Sequence, residues 1–275
     1  MDFLGIVKEI DELPPLSNVA SIVHNLYENG SENVNILKLV RAIESDSILS
    51  ANILHMINAP YYGFSKKIAS VSQAVTLFGT DLIYGLVVNY AIHSIMQANV
   101  RAYGITNEKF NAVCHMQSAL ISQWYSKIDL RHAQFLAPLA LIMETGKLVV
   151  SREVTKKGSI KEFAQGIKES EDTTIFEHEL FGSSSYYISG LLFEHWNMEP
   201  LYVDILKGLD YEHPSNLQMD AYITSLDIVR VAVNVKEVFT KHSIENACEL
   251  IEETGFMVDD FLNVAKRIKE KYEKS

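Results

Sequence analysis

Apolar side chains recur every three or four residues along nearly the whole chain, the spacing that lines them up on one face of an α-helix. Val19, Ile22, Val23, Leu26 and Tyr27 form the first stripe after Ser17, a residue suited to an N-cap, and the stripe stops at Asn29-Gly30. Ile36, Leu37, Val40 and Ile43 make the second. Asp46 stands where a cap is wanted for a third, carrying Leu49, Ile53, Leu54 and Ile57 and ending before Ala59-Pro60. After the loop from Pro60 to Ser70, Ser72 opens a short helix that Gly79 closes, and Thr80 starts a long apolar helix running to Ile95.

A second series begins near Thr106 with Phe110, Val113, Met116, Leu120 and Trp124. Asp129 caps the next helix, which runs into an apolar stretch ending at Gly146. Ser159-Ile-Lys-Glu162 and Thr174-Ile-Phe-Glu177 fit the capping box, in which hydroxyl and carboxylate satisfy orphan backbone donors. Further helices are expected over Tyr186 to His195, Pro200 to Leu209 and Met219 to Phe239, with two more after Ser243 and Val258. No strand alternation stands out, nor any repeat of roughly 20–50 residues. The pattern predicts an all-α fold in two helical halves, 1–104 and 105–275.

Composition narrows the function classes. Hydrophobic residues make up 48% of the 275, enough for a substantial core and against intrinsic disorder. The net charge of −11 repels phosphate backbones, so no nucleic-acid partner is expected. Cys114 and Cys248 are too few and too far apart for a disulfide framework or a paired metal knuckle. The start, MDFLGIVKEIDELPP, carries acids and lacks a basic signal-peptide flank. The apolar run Leu136 to Met143 falls short of the about 20 residues that span a bilayer. A cytoplasmic protein with no membrane insertion is the expectation. Gly-rich phosphate loops, GxSxG, HExxH and CxxC are all missing from the sequence.

The N-terminal half carries an ordered series of motifs. They are Leu13-Pro14-Pro15-Leu16, then Ala42 to Asp46, then Ala51-Asn52-Ile53-Leu54-His55-Met56-Ile57-Asn58-Ala59 followed by Tyr61-Tyr62-Gly63, and finally Ile68 to Gly79. This series resembles the HDOD module, a bacterial signalling relative of the HD-domain phosphohydrolases. The resemblance implies a helical HDOD bundle packed on an HD-like helical half. Local chemistry gives the same residues structural work. Asp46 and Ser72 suit N-caps, Gly79 a left-handed helix end, and Asn58 a backbone bond at a helix terminus. Pro14 and Pro15 belong to the opening motif. The loop Tyr61 to Lys67, with aromatics beside Lys66 and Lys67, would suit a partner surface.

In HD hydrolases an early His, a His-Asp doublet and a late Asp bind divalent metal, which activates water and clamps phosphate. By this resemblance His115 stands at the early His and Asp227 at the late Asp, while Met143-Glu144 occupies the doublet ahead of Gly146-Lys147-Leu148. A thioether is no substitute for imidazole toward such cations. The stretch Phe181 to Ser185 has serines where the family often has a His, and Leu209-Asp210-Tyr211 stands where a His pair is common, with His213 recoverable only by a register shift. Glu194 to Pro200 keeps the Trp-then-Pro end with one extra residue. The expectation is a non-catalytic signalling module without metal or cofactor. It would act by protein contact, in motility, chemotaxis or cyclic-dinucleotide signalling, and a homodimer is compatible. The alternatives are a residual phosphohydrolase built on His115, Glu144 and Asp227, and a nucleotide sensor without turnover.

Overall fold

Short polar side chains set many of the helix starts. In the computed structural model, which describes residues 3–28, 30–97, 99–210 and 219–274, Asp46 Oδ1 accepts from the backbone N–H groups of Ile48 and Leu49, each at 2.9 Å. Thr106, Asp129 and Thr240 cap their helices in the same way, each accepting from the third residue onward.

The N-terminal half comprises α1 (Phe3–Asp11), α2 (Asn18–Asn25), α3 (Ile36–Glu44), α4 (Ser47–Ile57) and α5 (Val71–Met96). The second half begins with α6 (Asn107–Trp124), α7 (Leu130–Ile142), α8 (Gly146–Lys156), α9 (Ile160–Glu169) and α10 (Thr173–Phe181). It continues with α11 (Ser185–His195), α12 (Pro200–Gly208), α13 (Asp220–Ala232), α14 (Lys241–Thr254) and α15 (Val258–Tyr272). Among the described residues the one β feature is an isolated antiparallel bridge between Val233 and Val238. The all-α architecture is as the pattern implied.

Several local expectations need correcting. Ser70, not Ser72, caps α5: Ser70 is extended and its Oγ accepts from Gln73 N, so the helix starts before Ser72. Gly79 does break the helix, at φ 80° and ψ 169°, but the path bends and continues to Met96. Neither capping box forms. Ser159 makes no side-chain cap bond. α10 is capped by Asp172, whose carboxylate accepts from Thr174 N and Ile175 N, leaving Thr174 inside the first turn. The helix expected from Met219 to Phe239 ends at Ala232. There Asn234 Oδ1 accepts from Lys236 N and Glu237 N, a local turn that outcompetes further helix. α1 precedes the first stripe read from the pattern. In α3, Leu39 and Ile43 enter the core while Ile36 and Leu37 face solvent.

The two halves share a continuous core. α1 buries Ile6 and Ile10 as it packs on α8 and α11, both in the second half. α5 crosses α7 so closely that a Cβ on Gly85 would lie 2.6 Å from Pro138 Cβ. The junction is anchored to the core, with Val100, Ala102 and Tyr103 buried while Arg101 and Gly104 face solvent. The opening motif is clamped across the molecule. Trp196 Nε1 donates to Pro14 O at 3.0 Å, and His195 Nε2 lies 3.2 Å from Leu13 O. Asn58 ties the end of α4 to the following loop, donating to Leu54 O and Ile68 O and accepting from Ile68 N. Val71–Met96 and the stretch Leu130–Lys156, which comprises α7 and α8, are long and apolar enough to cross a bilayer by length and composition alone, but both contribute here to the core.

Candidate functional site

Gly146 makes the site by letting two backbones touch. A Cβ there would sit 1.9 Å from the carbonyl oxygen of Ser185, so only glycine lets the start of α8 lie against α11. Gly146 N donates to Ser189 Oγ at 2.7 Å, and that hydroxyl donates to Met143 O at 2.7 Å. The turn between α7 and α8 is thereby pinned beneath α11. Met143 and Glu144 are both fully buried there.

Glu144 is surrounded by donors. Gln117 Nε2 donates to Glu144 Oε1 at 2.7 Å and Tyr186 Oη donates to the same atom at 2.9 Å. Lys147 Nζ lies 2.7 Å from Glu144 Oε2, and neither side chain is exposed. Gln117 is held in turn by Val233 O, at 2.8 Å, just past the early end of α13. Lys147 also donates to Ser185 Oγ at 2.8 Å and lies 3.9 Å from Glu177. Glu177 accepts from Tyr103 Oη at 2.7 Å and Ser185 N at 2.6 Å.

Electrostatics follow from this packing. Burial alone would raise the Glu144 pKa, but the Lys147 ammonium and the two hydrogen bonds outweigh it and hold the carboxyl below its ordinary value. Burial alone would lower Lys147. Glu144, Tyr186 and Glu177 reverse that and keep it protonated well above the usual lysine range. Burial and Glu144 push Tyr186 up, so it remains a donor. Two cations approach the Tyr186 ring, Lys147 Nζ at 4.4 Å and Arg230 Cζ at 4.8 Å from its centroid.

Asp227 lies at the rim of this network. Its Oδ1 pairs with Arg230 Nε, and Arg230 Nη1 donates to Thr174 Oγ1 at 2.8 Å. Glu144 and Asp227 are thus linked through Tyr186 and Arg230. His115 is not part of the assembly. It is two residues before Gln117 on α6, and residues at that spacing point to opposite sides of a helix. Its Nδ1 meets Tyr62 Oη at 3.0 Å, and burial lowers its pKa to about 4, with His93 and His55 adding to the effect. Among the described residues no group of three or more His, Cys, Asp or Glu is arranged to hold a metal ion.

The donor set does not fit the metal centre of the hydrolases. An ammonium already balances the one carboxylate in the doublet's place, a thioether stands beside it, and the imidazole faces elsewhere. The serines at 183–185 have their own structural duty. Ser183 Oγ and Ser184 N donate to Asp210 Oδ2, and His178 Nε2 lies 2.8 Å from Asp210 Oδ1. Tyr211 and His213 fall outside the described residues. The loop read as an exposed aromatic surface is partly interior: Tyr62 is buried against His115, and Phe64 is the aromatic that faces out.

Sequence reading missed Gln117, Tyr186 and Glu177. For Gln117 a signal existed: two polar residues two apart on an apolar helix cannot share a face, so either could have been the one pointing at the turn.

A model of the HDOD domain matches residues 13–209. Among solved structures, an HDOD domain protein with unknown function from Geobacter sulfurreducens is 15% identical, with 98% of this chain and 97% of that one covered at a TM-score of 0.63. A protein called "putative phosphohydrolase" from Shewanella amazonensis is 18% identical, with coverages of 97% and 93% and a TM-score of 0.69. A "putative signal transduction protein" from Marinobacter aquaeolei is 20% identical, covering 94% of this chain and 60% of that one at a TM-score of 0.62. At these identities the likeness is one of fold. No curated protein matches the sequence.

Proposed function

The chain belongs to the HDOD domain family, and from that membership we propose that it is a non-catalytic signal-transduction module whose output is contact with a protein partner. Motility, chemotaxis and cyclic-dinucleotide networks are the bacterial pathways in which such a module would work.

One observation carries this reading: Lys147 Nζ occupies the fully buried face of Glu144, 2.7 Å from its Oε2. The doublet's surviving carboxylate is neutralised from within the chain. A divalent cation would have to displace a buried ammonium, and removing one member of such a pair costs about 3–5 kcal/mol. Gln117 and Tyr186 take up the other carboxylate oxygen, so the site has become a stable internal network. A fold held in this way can present a fixed surface without doing chemistry.

The test is direct. The purified chain is dialysed against Mn²⁺, Fe²⁺, Mg²⁺ or Zn²⁺, its metal content measured by mass spectrometry, and its turnover of p-nitrophenyl phosphate and cyclic dinucleotides followed. Sub-stoichiometric metal and background turnover are expected. One metal per chain, with turnover lost in Asp227→Asn, would overturn the proposal.

A further inference from the structure

A cavity of about 410 Å³ opens between α4, α5 and α6, on the side of α6 opposite Glu144. Its wall includes His55 from α4, Asn89, Tyr90 and His93 from α5, and Asn111 and His115 from α6. Asn89 is 5% exposed, yet its Oδ1 has no hydrogen-bond partner, and His93 Nε2 also lacks one. These two residues are four apart on α5 and therefore neighbours on one face. Buried polar atoms left without partners are costly and uncommon, so two of them on the α5 wall mark it as polar surface that the chain itself does not satisfy. The volume falls in the range of small-molecule sites, roughly 300–1,000 Å³.

The chemistry of that molecule can be read from the wall. Among the described residues the one carboxylate lining the cavity is Glu108, an anion at the start of α6. No lysine or arginine among the described residues lines it, so a phosphate or carboxylate would meet repulsion without compensation. Burial holds His93 and His115 near a pKa of about 4, which leaves both imidazoles neutral at pH 7. Tyr62 engages His115 Nδ1, so Nε2 is the ring nitrogen left for the cavity. Neutral amides and imidazoles together offer donors and acceptors along this wall, and Tyr90 adds an aromatic side chain to it. A neutral ring edge carrying adjacent N–H donors and ring-nitrogen acceptors would satisfy them.

We propose that this cavity is a binding site for an uncharged planar nitrogen heterocycle of the nucleobase or nucleoside class, held by Asn89, His93, Asn111 and His115. The site is separate from the Glu144 network and goes beyond the signalling reading, because it would supply the module with an input.

Thermal-shift and calorimetric titrations with adenine, guanine, adenosine, guanosine, cytidine and uridine test it, beside the 5′-monophosphates and Zn²⁺ or Ni²⁺. At least one neutral probe is expected to raise the melting temperature by about 5 °C at a hundredfold excess over its dissociation constant. Its monophosphate should bind at least about tenfold more weakly. Asn89→Leu should weaken binding by about tenfold or more, the loss expected for one buried hydrogen bond. Should Asn89→Leu fail to fold, Asn111→Ala at the exposed rim serves instead, with imidazole ¹⁵N shifts of His93 and His115 as the binding readout. The proposal is overturned if no neutral probe binds at millimolar concentration, or if the monophosphate binds as well. It is equally overturned if Asn111→Ala and Asn89→Leu leave affinity unchanged, or if a stoichiometric metal moves the histidine resonances in place of a heterocycle.

Discussion

Gln117 Nε2 donates to Glu144 Oε1 at 2.7 Å, while His115, two residues earlier on the same helix, bonds Tyr62 on the other side. A helix advances about 100° per residue, so the two side chains diverge by roughly 200°. Gln117→Leu should therefore destabilise the fold by about 1–3 kcal/mol, because Glu144 loses a donor it cannot replace with water. His115→Gln should leave the Glu144 network intact. Urea unfolding of both variants checks the difference.

The Glu144–Lys147 pair should behave as a unit. Lys147→Met leaves a buried carboxylate without its cation, and Glu144→Gln leaves a buried ammonium. Each should cost about 3–5 kcal/mol, whereas the double variant should recover much of the loss. A double-mutant cycle from denaturant melts reads the coupling directly, and strictly additive losses would contradict the pairing.

Two glycines should respond to alanine for different reasons. At Gly146 the new Cβ would lie 1.9 Å from Ser185 O and 2.8 Å from Ser189 N, both backbone, so α8 and α11 must part. A loss of at least about 3 kcal/mol, the upper end of overpacking costs, is expected. At Gly79 nothing lies within 4 Å and only the positive φ of 80° is penalised. With ψ at 169° the residue sits in a region essentially reserved for glycine, and a loss of about 1–3 kcal/mol is expected there. Calorimetry should rank the two in that order.

Acid should weaken the protein in a defined window. His115 and His93 fall from an ordinary 6.5 to about 4 in the folded chain through burial. Between those values the unfolded chain holds protons the folded chain refuses. Stability is therefore full above about pH 6.5 and lost as pH falls towards 4, by about 3 kcal/mol for His115. Asp81 and Glu199, whose pKa values burial raises, act in the opposite sense as pH falls through their raised values. The difference between wild type and His115→Gln isolates the histidine. Equal slopes for the two proteins between pH 4 and 6.5 would refute the assignment.

Legibility in the sequence followed the range of the interactions. Caps at Asp46 and Asp129 are readable in the sequence because a cap joins residues two or three apart. Ser72 was misplaced because Ser70, equally suited, lies two residues earlier, and propensity alone does not choose between them. Asn234 ended α13 through a turn of four residues that an apolar stripe conceals. Periodicity puts Ile36 and Leu37 in the apolar stripe, yet the face buried by packing runs through Leu39 and Ile43. The candidate site was legible only in part. Met143-Glu144 was found by its place before Gly146-Lys147, but the partners of Glu144 come from α6, α8 and α11.

By itself the sequence determined the helical class, most of the helix starts and the family, since these rest on periodicity, local hydrogen bonds and motif order. Tertiary structure alone decided that Lys147 would neutralise Glu144, that Gln117 and not His115 would reach it, and that His115 would line a cavity with Asn89 and His93. Those outcomes depend on helix rotation and on how closely two backbones approach, which at Gly146 is set by the absence of one carbon atom. No local pattern records either quantity, because each is fixed only when helices far apart in the chain pack together.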